Sequence, residues 1–223
     1  MPELIEAKEP FRFYTRLHLS ELTGLRASNI NQLLDLIKQV PGSSIYHHTH
    51  RFLQQHQYLS PEPPNDFAYW TSEVLGEDEL GERLASIDTI QFPTIRSLRE
   101  AIIKTIEDFL KNDPMAKLKF AREGAEFHFI RSISFILPTN YVAHNLGEFV
   151  DILRKITIDS IYFHIFEARL RLEKGNNDFS YWIESSIGNK RLADEIARLD
   201  PYTRTLENLR KTLIKIIERK ISI

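Results

Sequence analysis

Phe11 can be laid over Phe127 so that two stretches of the chain run in register, without a gap, through Ile45, Tyr46 and His48. These meet Ile161, Tyr162 and His164 at an offset of 116 residues. Asn65-Asp66-Phe67 and Tyr69-Trp70 then meet Asn177-Asp178-Phe179 and Tyr181-Trp182 at an offset of 112, so the second stretch has lost four residues between these blocks. The match continues through Leu80/Leu192, Ala85/Ala197 and Asp88/Asp200. It reappears at an offset of 111 in Thr94/Thr205, Leu98/Leu209 and Arg99/Arg210. Self-similarity of this kind marks a tandem duplication, here of a unit of about 100 residues, an ordinary domain size. We read residues 1–110 as the first copy, 111–126 as a linker and 127–223 as the second copy, forming two cores or one merged core. The duplication is a strong constraint, because any architecture must accommodate both copies.

Each copy opens on alternation: Phe11, Phe13, Thr15, Leu17 and Leu19 in the first, Phe127, Phe129, Arg131, Ile133 and Phe135 in the second. Period 2 predicts a short strand with one apolar face. A lone strand leaves its backbone donors unpaired, so the two strands are expected to pair with each other, giving a pseudo-twofold axis, or with strands of a partner chain. Asn29 and Asn145 stand where they would cap helices carrying Leu33, Leu34 and Ile37, or Phe149, Val150 and Leu153, and Pro41-Gly42 ends the first of these. A second helix is expected from about Ser44 or Ser160. Asp66 or Asp178 would cap a third, closed by Gly76 or Gly188. A short helix over Asp78 to Ile87 precedes the clearest amphipathic one: Ile95, Leu98, Ile102 and Ile106 against Leu206, Leu209, Leu213 and Ile217, capped by Thr94 and Thr205. The fold class is mainly α with a minor β part, a duplicated helical unit in which each copy starts with a strand.

With 29 Lys and Arg against 31 Asp and Glu there is no basic field for nucleic acid, and the absence of cysteine removes disulfides, thiolate metal sites and a cysteine nucleophile. The acidic start Met1-Pro2-Glu3 is unlike a signal peptide, and no apolar run approaches the ~20 residues that span a bilayer, so a soluble, cytoplasmic protein is expected. No Gly-rich phosphate loop or Gly-x-Ser-x-Gly occurs.

The densest polar feature is Tyr46-His47-His48-Thr49-His50-Arg51, with His56 beyond it. On an α-helix His47 and His50 share a face. Two neutral imidazoles so spaced could hold a divalent metal if Glu62 or Asp66 closed the site. That metal reading is weak, because His-Glu-x-x-His is absent and surface or interfacial histidines outnumber ligands. His48, matched by His164, reads instead as a fold-supporting residue with a buried hydrogen bond. His47, His50 and His56 become Phe163, Phe166 and Leu172, so the polar face belongs to copy one alone. Ser60-Pro61-Glu62-Pro63-Pro64 is also confined to copy one; its prolines could preorganise it for contact, but it reads rather as a rigid connector that delivers the chain to the Asp66 cap. Trp70 and Trp182, with Tyr69 and Tyr181, could stack on a sugar but at helical spacing read as core. Arg16 and His18 lie on the polar side of the first strand.

The run Tyr46-His47-His48-Thr49-His50-Arg51-Phe52-Leu53 through Tyr58-Leu59-Ser60-Pro61-Glu62-Pro63-Pro64-Asn65-Asp66-Phe67-Ala68-Tyr69-Trp70 resembles the signature of a bacterial and archaeal family of unknown function. Phe163-His164-Ile165-Phe166-Glu167 and Leu199-Asp200-Pro201-Tyr202 extend the resemblance over nearly the whole chain. It implies no catalytic residues, and it implies an association with carbohydrate-enzyme neighbourhoods. The expected function is a binding or regulatory module without chemistry or cofactor of its own, serving a protein partner or small metabolite, with a site at His47, His50, Arg51, Glu62 and Asp66. The alternatives are a metal-dependent hydrolase on the His47/His50 face and a structural homodimer through the final helices.

Overall fold

In the computed structural model, residues 5–51, 65–168, 176–199 and 205–221 are described. The alternating openings form strands β1, Glu6–Ala27, and β2, Phe127–Asn145, which pair with each other in a two-stranded sheet. Thr23 Oγ1 donates to the Phe129 carbonyl and Thr139 Oγ1 to the Phe13 carbonyl, both at 2.7 Å. One register rises as the other falls, so the strands are antiparallel. They run 22 and 19 residues, well beyond the short alternating blocks. The reason is that burial stops early while strand pairing continues. Phe11 and Phe13 are buried, but Leu17 and Leu19, on the same alternation, are 50% and 48% exposed.

Helix α1, Ile30–Gln39, starts where Asn29 Oδ1 accepts the Gln32 N–H at 2.9 Å. Helix α2, Gly42–Tyr46, passes directly into a π turn, His47–Arg51. Helix α3, Asp66–Tyr69, passes into a second π turn, Trp70–Val74. Helices α4, Asp78–Ala85, and α5, Ile95–Asn112, complete copy one, and a 3-10 turn at Pro114–Leu118 follows. Copy two repeats the series as α6, Leu146–Leu153; α7, Ile158–Tyr162, with its π turn Phe163–Glu167; and α8, Asp178–Trp182, with its π turn Ile183–Ile187. Helices α9, Lys190–Ala197, and α10, Leu206–Ile221, end it. The protein is thus mainly α-helical, with a minor β part and an internally repeated pattern. No described helix is long and apolar enough to cross a membrane.

The cap of α3 and of α8 is one residue earlier than expected. Asn65 and Asn177 accept the first helical N–H groups, at 2.9 Å in each case, and each also donates its amide to the carbonyl of Leu84 or Ile196. Asn supplies both an acceptor and a donor, which Asp cannot do when ionised. Asp66 and Asp178 are thereby released for another contact. Gly76 and Gly188 stand at φ +65° and +76°, the left-handed conformation that ends these segments.

Two compact units emerge, and each draws on both copies. One gathers β1 up to Leu17 with the chain from Ser134 onward; the other gathers the rest of β1, the copy-one helices and β2 up to Ile133. In the first unit Phe11 and Phe13 pack with Phe149, Phe179 and Trp182 of copy two. In the second Phe127 and Phe129 pack with Phe67 and Trp70 of copy one. The opening strand of each copy therefore completes the core built by the other copy's helices. Corresponding ring distances agree closely: Phe11 to Trp182 is 5.6 Å and Phe127 to Trp70 is 5.8 Å. Each indole N–H donates at 2.8 Å to a carbonyl just ahead of that strand's phenylalanines, Glu9 or Ala125. Arg99 and Arg210 hold the chain after α1 and α6 through the carbonyls of Val40 and of Leu153 and Ile156. The apolar faces of α5 and α10 are buried, each in its own unit.

Phe13→Ala should cost about 3–5 kcal/mol, as expected for a fully buried Phe. In a Trp70→Phe background the remaining Trp182 should report the change, in native emission and in urea midpoint. If only Trp70, read in a Trp182→Phe background, responded, the strand would have to pack on its own copy.

Candidate functional site

Two buried histidines hold the opening strands in place. His48 Nδ1 lies 2.7 Å from Asp66 Oδ2, and its Nε2 accepts the Ile130 N–H of β2 at 3.0 Å. His164 repeats the arrangement, with Asp178 at 2.8 Å and the Tyr14 N–H of β1 at 2.9 Å. A ring nitrogen that accepts must be bare, so Nδ1 carries the proton and donates it to the carboxylate. Phe67 and Phe127 enclose the His48 ring at 5.5 and 4.7 Å. Both nitrogens are committed to the fold, which leaves neither free to take a substrate proton. His48 thus makes the buried hydrogen bond expected of it, and Asp66 is its carboxylate.

The π turn after α2 arranges the copy-specific residues. His47, Thr49 and His50 are buried. His47 Nδ1 is hydrogen bonded to Ser132 Oγ on β2 at 3.1 Å. His50 Nδ1 bonds the neighbouring Thr49 hydroxyl at 2.9 Å, and its ring stacks on Tyr46 at 5.5 Å, which in turn stacks on His18 at 5.9 Å. The expectation that His47 and His50 present one face assumed α-helical spacing; a π turn, with its i→i+5 bonds, rotates successive side chains differently. Their hydrogen bonds go to different partners. Among the described residues no group of three His, Asp or Glu is placed to hold a metal ion. Glu62, His56 and the proline loop lie outside the described residues.

Burial withdraws the His47 imidazolium from water and pushes its pKa down to about 4. His48, Arg51 and His18 push the same way, against the pull of Asp66. His47 is therefore neutral at pH 7, and too weak a base at that value to activate the Ser132 hydroxyl efficiently.

Position 51 separates the copies most sharply. Its counterpart is Glu167, almost fully buried and ion-paired with Arg16 on β1. In the other unit the corresponding residues are Arg51 and Ser132. Nε and Nη1 of Arg51 are closed to solvent, and among the described residues neither has a hydrogen-bond partner. A buried polar group left this way costs about 1–3 kcal/mol.

The unit built from copy-two helices also carries a cleft of about 800 Å³, lined by Phe11, Tyr14, Phe163, Tyr181 and Trp182 with His164 and Asp178 at its polar side. Tyr181 is 55% exposed; of the aromatic pairs, the tryptophans are core and the tyrosines are not. Sequence reasoning missed this cleft, because its Phe11 and Tyr14 come from the strand of the other copy.

The chain belongs to a family of unknown function, DUF5752, whose profile matches residues 8–218. Among solved structures it is similar to OrfY from Thermoproteus tenax, at 30% identity and a TM-score of 0.81, covering 99% of this chain and 100% of that one. No curated protein matches.

Replacing His48 by Phe strands the Ile130 N–H, so hydrogen exchange at Ile130 should accelerate, as should exchange at Tyr14 in His164→Phe; unchanged protection would contradict the clasp. The depressed pKa of His47 sets a second expectation. Between pH 6.5 and 4 the unfolded chain takes up a proton at this position that the folded protein does not. Its contribution to stability is therefore full above pH 6.5 and is lost as pH falls toward 4, by an amount on the order of 3 kcal/mol. His47→Phe, the residue at position 163, should remove that part of the slope in urea denaturation measured from pH 7.5 to 4.

Proposed function

We propose that the protein is a binding module, without chemistry of its own, that takes a small metabolite in the cleft beside Tyr181. The observation that carries this reading is the cleft itself. Its volume falls within the range of small-molecule sites, and its walls combine five aromatic side chains with charged and polar ones that include Lys8, Glu9, Arg12 and Asp178. The clasp histidine at its side is fully hydrogen bonded and so serves as wall rather than as acid or base. The exposed ring of Tyr181 and the half-buried ring of Tyr14 suit the flat apolar side of a sugar ring. The carbohydrate-enzyme neighbourhood that the sequence resemblance implies directs the choice of ligands toward saccharides, and a regulatory role in that chemistry would follow from ligand-dependent contact with a protein partner.

The test is a panel of mono- and disaccharides scored by thermal shift and Trp182 fluorescence in the Trp70→Phe background. At least one ligand should give a saturable response that Tyr181→Ala reduces tenfold or more in affinity. A panel without any response, or a response indifferent to Tyr181→Ala, would defeat the reading.

A further inference from the structure

In copy two, the acid at the end of the π turn is answered within the fold: Glu167 pairs with Arg16 of β1. In copy one, the helix position has changed sign to Arg51, and the strand position has become neutral Ser132. Asp66, the carboxylate nearest in sequence among the described residues, is held by His48. The guanidinium therefore keeps two nitrogens, carrying three N–H groups, that are shielded from water and have no acceptor among the described residues. Lysine or histidine could escape such a position by losing a proton. Arginine cannot, because a guanidinium is not deprotonated in proteins. An acceptor brought from outside would satisfy those groups, and an anionic oxygen makes the strongest hydrogen bonds to a guanidinium.

The neighbourhood suits an anion. His47, close enough to Arg51 to feel its charge, is bonded to the Ser132 hydroxyl. Arg51 as a whole residue is only partly buried, so a turn of its side chain would bring the closed nitrogens to a ligand at the surface. We propose that Arg51 is the seat of an anionic oxygen ligand, the carboxylate or phosphoryl group of a small molecule, with His47 and Ser132 beside it. This site belongs to the unit built from copy-one helices and is independent of the cleft described above.

The experiment is a thermal-shift titration of the full chain with inorganic phosphate and, in a second arm, with succinate, each exchanged against chloride at constant ionic strength. The expected result is a saturable rise in Tm, and the anion with the lower half-saturation concentration identifies the class. Arg51→Met should abolish the rise. The double variant Arg51→Glu/Ser132→Arg, which imports the pair of copy two, should fold and also show none, and it decides the matter if Arg51→Met does not fold. Tyr181→Ala should leave the anion response intact, which separates this site from the saccharide cleft. The proposal is overturned if neither anion raises Tm above the chloride control, or if the rise survives in a folded Arg51 variant.

Discussion

A backbone N–H donated to a histidine that is itself held by an aspartate is the contact on which the architecture turns. An unpaired N–H at the edge of a buried strand is costly. Ile130 and Tyr14 each find their acceptor on the helices of the copy they do not belong to. The clasp demands three things of the chain: a histidine at the second residue of a π turn, an aspartate freed from capping by a neighbouring asparagine, and a strand close enough to dock. All three occur twice. Around each clasp the two phenylalanines of the strand and the tryptophan of the helix close the same aromatic cluster, so the polar contact sets the strand's position while apolar burial supplies most of the stabilisation.

What the copies share is architectural, and their differences concentrate in the π turn that follows the short helix after the strand and α1 or α6. The asparagine caps, the π turns, the arginines of the last helices that bind carbonyls at the end of the first, and the clasp histidines all recur. His47, His50 and Arg51 lie in the π turn of one unit, while Phe163, Phe166 and Glu167 take their places in the other. Duplication permits such divergence, because a core position can become polar in one copy while the other preserves the fold.

Much of this was legible from residue order. The period-2 openings, the asparagine caps of α1 and α6, the threonine before α5 and the amphipathic final helices are local patterns, and local patterns survive tertiary context. The cap of α3 was misplaced by one residue because Asn65 and Asp66 are both good cap residues, and only the demand of His48 for a carboxylate distinguishes them. The π turns left no signal, since an extra residue within a helix changes no composition. The face shared by His47 and His50 was accordingly drawn on the wrong helix. The Tyr181 cleft was invisible for a different reason: its walls lie far apart in the chain.

Residue order alone established that the chain is duplicated, mainly helical and opened twice by a strand, and that one copy carries a polar segment the other lacks. It could not choose which helices each strand would join. Both strands have the same alternation and both helical sets the same apolar spacing, so either pairing buries equivalent phenylalanines. The choice was made in three dimensions, where each strand's N–H groups and aromatic side chains meet the clasp and core of the opposite copy. That exchange brings Phe11 and Tyr14 to the cleft, and it sets Ser132 rather than an arginine on the strand beside His47.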